Sequence, residues 1–182
     1  MTLRAPVLML ALAALLLATP TDAARVRLFS YDPTTPETRQ TAGGLTFQFA
    51  QHLTSINLLR VFATEGQASA DLQPARDQAL GPGGLSGVIG ARAPERALYQ
   101  VAPGREGTAL IDAFCPGSER AWMAFGRIKA NKDLRVYVLG AAANGPSHLC
   151  HQLDFSFRGE WRGQQGLNVN SHTFDAPRDP FH

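Results

Sequence analysis

Apolar and polar residues alternate most regularly late in the chain. Over 149–157 (LCHQLDFSF), Leu149, Leu153, Phe155 and Phe157 share one face, and Gln152, Asp154, Ser156 and Arg158 share the other. A period of two marks a half-buried strand. Similar alternation, or short runs rich in Val, Ile and aromatics, recurs at 25–31, 45–50, 57–64, 97–101, 108–114, 121–128 and 134–139. Clusters of turn formers separate them, such as Asn131, Lys132 and Asp133, and then Asn144, Gly145 and Pro146. Between 65 and 96 the pattern dissolves. There 81–87 (GPGGLSG) reads as a flexible loop and Pro94 with Glu95 as a single helical turn. The strand count predicts an all-β fold: a single-domain antiparallel β-sandwich, with a closed β-barrel as the alternative and one short helix.

Folding 121–128 against 134–139 about Asn131 gives a hairpin with Ile128 opposite Leu134, Gly126 opposite Val136 and Ala124 opposite Val138. Both faces are then largely apolar, which places the hairpin centrally with material on each side. In this register Arg127 faces Arg135. Like charges directly opposite destabilise a sheet, unless a carboxylate such as Asp154 or Glu160, or a bound anion, lies between them. Arg127 and Arg135 are therefore candidate ligand-binding residues.

The N-terminus changes the picture of the compartment. Arg4, an apolar run over 7–18, Pro20 and the small-residue site at 21–23 have the form of a secretory signal peptide. Removing it (182 − 23) leaves 159 residues, enough for one domain with a proper core. The expected division is a signal peptide at 1–23, a β-domain at 24–162 and a flexible tail at 163–182. A periplasmic or secreted location follows, and with it a Cys115–Cys150 disulfide. No further apolar stretch approaches membrane length. The formal charge of +2, with scattered arginines, supports no nucleic-acid partner.

Candidate chemistry is sparse. The glycine-rich loop lacks the strand–helix setting of a phosphate cradle, and Ser86 lacks the second glycine of a nucleophile elbow. His148 and His151, three apart on a strand, alternate faces, so no metal and no cofactor is expected. His151 shares the apolar face with Leu149 and Leu153, and Asp112 shares one with Leu110 and Phe114. If they meet, they form a general acid/base pair, the candidate catalytic residues. Trp122, Trp161 and Tyr137 could stack on a sugar, although core packing is the preferred role. The leading functional expectation is an exported, non-catalytic binding or accessory protein for a protein partner or small ligand. The alternative is a small exported hydrolase using His151, Asp112 and Arg127.

Overall fold

The structure, a computed structural model, describes residues 25–163. The leader expected over 1–23, and all but the first residue of the tail expected over 163–182, lie outside that range. The strands are β1 Arg25–Pro33, β2 Leu45–Gln51, β3 Ile56–Ala63, β4 Ser69–Pro74, β5 Ala97–Val101, β6 Arg120–Phe125, β7 Leu134–Ala141 and β8 His148–Gly163. Each pairs antiparallel with its sequence neighbours, and β8 returns to β1, closing an up-and-down barrel. The expected sandwich is therefore corrected to its alternative. The reason lies in β8, which is 16 residues long. Its first part pairs with β7, from His148 opposite Gly140 to Phe155 opposite Leu134. Its second part pairs with β1, from Phe155 opposite Pro33 to Gly163 opposite Val26. One long, staggered strand thus supplies the shear that closure needs and removes the edges a sandwich would leave.

The alternation decides what lies inside. Phe29, Tyr31, Leu45, Phe47, Val61, Met123, Phe125, Val136, Val138, Leu153 and Phe155 are buried together in the barrel core. The outward positions carry Gln48, Arg60, Asp71, Gln100, Arg135 and Asp154. The exterior is polar at these positions and apolar where β5–β7 turn Leu98, Trp122, Ala124, Tyr137 and Leu139 outward. Among the described residues no helix is long and apolar enough to cross a membrane.

Among the described residues three short α-helices decorate the barrel: α1 Pro36–Thr41, α2 Gly84–Ile89 and α3 Arg105–Phe114. Helix α3 replaces the strand expected at 108–114. Gly107, Leu110, Ile111 and Phe114 are its buried residues. That is a spacing of three and four, and Leu110 with Phe114 fits either period when only seven residues are read. Strand β4 was concealed by its composition (SADLQP), yet Ala70 and Leu72 alternate into the core. In α1, Thr35 caps the N-terminus by accepting a hydrogen bond from the Thr38 N–H, with Pro36 in the first turn. Thr38 Oγ1 then accepts from the Asp154 N–H, covering the edge of β8 where β1 stops. No helical turn forms at Pro94 and Glu95.

In the loop expected to be flexible at 81–87, residues 84–87 instead open α2. The Asp77 carboxylate accepts from the Leu85 N–H. Leu80 and Leu85 pack on Trp122, Ala124, Tyr137 and Leu139 outside the barrel. Strand β6 is thereby buried on both faces, as expected of a central hairpin, but the register differs by one residue. Phe125 pairs with Val136 and Ala124 with Tyr137. Residues 126–133 all serve as the connection, a longer loop than the five residues assumed, and a one-residue slip moves each side chain to the other face.

Candidate functional site

The closed barrel has a near end, where β1 begins and β8 finishes, and a far end, which carries the β1–β2, β3–β4, β5–β6 and β7–β8 connections. Helix α3 belongs to the β5–β6 connection. Leu110, Ile111 and Phe114 join the same core as the strand interior, so this helix plugs the far end. Among the inward side chains that keep partial exposure, Arg27, Ala97, Tyr99, Ile128, Phe157 and Glu160 lie toward the near end, and His151, opposite Val138, lies toward the far end. Tyr99 stacks on Phe125 with ring centroids 5.3 Å apart. Arg27 donates from Nε to Glu160 Oε1 at 2.8 Å and lies 5.0 Å over the Phe29 ring. The Arg27 hydrogen bond holds the Glu160 carboxyl below its ordinary range, so this charge pair at the near end is satisfied.

Deeper in, the interior is aromatic. The Tyr31 ring meets Phe47 and Phe157 edge to face, at 6.1 and 5.6 Å, and Phe47 meets Phe125 at 5.5 Å. Tyr31 is 1% exposed. Its hydroxyl has no hydrogen-bond partner among the described residues. Burial pushes its pKa up from 10.0 to about 12, so the group stays a neutral donor. Among the described residues three other buried polar atoms lack partners, on Arg60, Glu95 and Trp122. Arg60 and Trp122 point away from the interior, and Glu95 lies in the β4–β5 connection. Tyr31 is thus the inward-facing orphan.

The residues singled out from sequence are dispersed. Asp112 is exposed on α3, because the helix turns it away from the buried row of Gly107, Leu110, Ile111 and Phe114. His151 stands opposite Val138 on β8, and its Nδ1 lies 3.2 Å from Glu37 Oε1. The expected Asp112–His151 pair is not assembled. The facing arginines are not assembled either. Arg127 is exposed in the β6–β7 loop, and Arg135 donates from Nε to Asp154 Oδ1 at 2.7 Å, which raises its pKa further. Leu149 leaves the apolar face because the register shifts between Val138 and Leu139, placing it opposite Leu139 and 42% exposed. Trp122 is buried outside the barrel, while Trp161 stands opposite Leu28 on β8, so the aromatics form no common platform.

Cys115 and Cys150 do come together as a disulfide, with Cα atoms 5.4 Å apart. Cys115 ends α3, and Cys150 occupies the β8 irregularity. Gly140 lies directly beneath. A Cβ there would collide with Cys115 Sγ and Ser118 Oγ and come within 2.9 Å of Cys150 Sγ. Gly140→Ala is expected to cost about 3 kcal/mol, at the upper end of ordinary overpacking, because the bonded sulfurs cannot step aside. Urea unfolding with thiol titration checks this. An unchanged midpoint with no free thiol would contradict it.

Fold and interior together define a class: a closed eight-stranded antiparallel β-barrel with an aromatic interior and, among the described residues, one unpartnered hydroxyl inside. No protein family, curated protein or solved structure matches the chain. The Tyr31 hydroxyl carried one signal in sequence, a phenol at the same alternation as Phe29. Its burial could not be read before β1 was paired to β2 and β8.

Proposed function

We propose that this is an exported, non-catalytic binding protein that takes a small, largely aromatic or apolar ligand into the barrel from its near end. The observation that carries the reading is the orphaned Tyr31 hydroxyl. A buried donor without a partner costs about 1–3 kcal/mol, and natural interiors retain few of them. Eight-stranded barrels are wide enough to be filled by side chains or to hold one small ligand. A ligand that displaces the partly exposed Phe157, Tyr99 and Ile128 would reach Tyr31 with its acceptor atom. Since the hydroxyl is held protonated, the complementary group is a carbonyl, ether or other acceptor.

Prodan, a neutral naphthalene ketone, is a suitable probe. Wild-type protein is expected to bind it saturably, with blue-shifted emission. Tyr31→Phe is expected to weaken binding by roughly tenfold, the worth of one buried hydrogen bond. The same variant should be more stable by about 1–2 kcal/mol at neutral pH, because the orphan is gone. Equal binding by both proteins, or a destabilised variant, would defeat the reading.

Tyr31 also sets a pH dependence. Its folded pKa is raised, so the phenol adds no pH dependence below the unfolded value of 10.0, and stability is lost as pH climbs from there through about 12. Equilibrium unfolding between those values should show wild-type stability falling more steeply than that of Tyr31→Phe. Parallel curves would contradict the burial of this phenol.

A further inference from the structure

We propose that Cys115, Cys150 and His148 form a zinc site in the reduced protein, so that this corner of the barrel exchanges a disulfide for a metal ion. The donor atoms of the three residues all lie within 4.8 Å of one another. His148 Nε2 is 3.9 Å from Cys115 Sγ. Zinc bonds of about 2.3 Å to sulfur and 2.0 Å to nitrogen put tetrahedral ligand atoms roughly 3.5 Å apart, so once the disulfide is broken the two sulfurs must part and the exposed imidazole must swing slightly. The spacing in sequence concealed this set, because His148 was weighed as a ligand only alongside His151, three residues on. The register shift turns Cys150 toward Cys115, and His148 stands opposite Gly140.

The surroundings are built for two sulfurs. Gly140 supplies a floor without a side chain, where any Cβ would strike both cysteines. Ser118 Oγ lies 3.2 Å from Cys115 Sγ, placed to donate a hydrogen bond that would steady a thiolate. Cys115 and Ser118 are buried, Cys150 is half-buried and His148 is exposed, which leaves a path for an ion from solvent.

The chemistry balances with a dithiol as reductant. Thiol–disulfide exchange breaks the Cys115–Cys150 bond, gives two protein thiols and leaves the reductant as its own disulfide. Zn²⁺ then displaces the two thiol protons, takes two thiolates and the His148 imidazole, and keeps one position for water. Two thiolates and one imidazole suit a soft or borderline ion and disfavour calcium or magnesium.

The test uses the full chain, reduced with dithiothreitol, freed of it by gel filtration under nitrogen, and titrated with Zn²⁺ against a chromophoric chelator. The reduced protein is expected to bind one equivalent roughly 100-fold more tightly than the oxidised protein. Co²⁺ in place of Zn²⁺ should give thiolate charge-transfer absorption in the near ultraviolet. His148→Ala should weaken binding at least roughly tenfold with an unchanged near-ultraviolet circular dichroism spectrum, since the residue is exposed. Equal affinity in both redox states, or no effect of His148→Ala, overturns the proposal. So does a reduced protein that has lost its near-ultraviolet signal, because the site exists only on the folded barrel.

Discussion

Truncating Phe47 to alanine is expected to destabilise the barrel by about 4 kcal/mol, within the range for deleting a buried phenylalanine. Phe47 has no exposed surface. It lies opposite Phe29 on β1 and Val61 on β3, with Tyr31 and Phe125 rings against it. The cost depends on how far the surroundings can collapse into the space left behind. Here collapse is opposed by the closed hydrogen-bonded circuit, since no strand can move inward without breaking a pairing on one side. A fall in melting temperature of roughly 15 °C follows for a domain of this size. Urea unfolding of the two proteins measures it. A loss below about 1 kcal/mol would mean that the interior is not packed around this ring.

The second large effect is that of the cross-link. Cys115 and Cys150 are 35 residues apart, a span that contains β6 and β7. On the chain-entropy account, closing such a loop stabilises the fold by about 4 kcal/mol. The Cys115→Ser/Cys150→Ser double variant is therefore expected to melt roughly 10–15 °C lower, and wild-type protein under reductant should match it. Metal must be excluded from the reduced sample, because zinc at the proposed site would restore part of the loss by mass action. A reduced wild type that melts with the oxidised protein would show that the cross-link contributes little.

Local structure was legible where alternation is long and strongly apolar. β2, with Leu45, Phe47 and Phe49, and β5 were read almost residue for residue, and the apolar series Leu153, Phe155, Phe157 of β8 faces inward as expected. Two local misreadings offset each other. The Leu110–Phe114 spacing suits both a strand and a helix, and in β4 the single strongly apolar side chain is Leu72, so one strand was gained and one missed. The closure itself was hidden. Phe29 and Glu160 pair across 131 residues (160 − 29), and nothing in either local sequence names the other. The acid/base pair failed for the same physical reason as the strand that carried Asp112: helical turning sends a residue where strand alternation does not. Arg135 found Asp154, one of the two carboxylates able to relieve the anticipated repulsion, once the register moved. The cysteine pair was legible because two cysteines in one chain allow a single internal pairing, whereas its histidine neighbour depended on a strand irregularity.

The most direct test of the central claim is a ¹⁵N–¹H correlation spectrum of the labelled protein recorded through a prodan titration. Binding inside the barrel predicts shifts concentrated at Tyr31, Phe47, Tyr99, Phe125 and Phe157, with Asp71, Arg135 and Leu149 on the outer surface unmoved. Shifts confined to those outer residues, or none at saturating probe, would contradict an interior binding site.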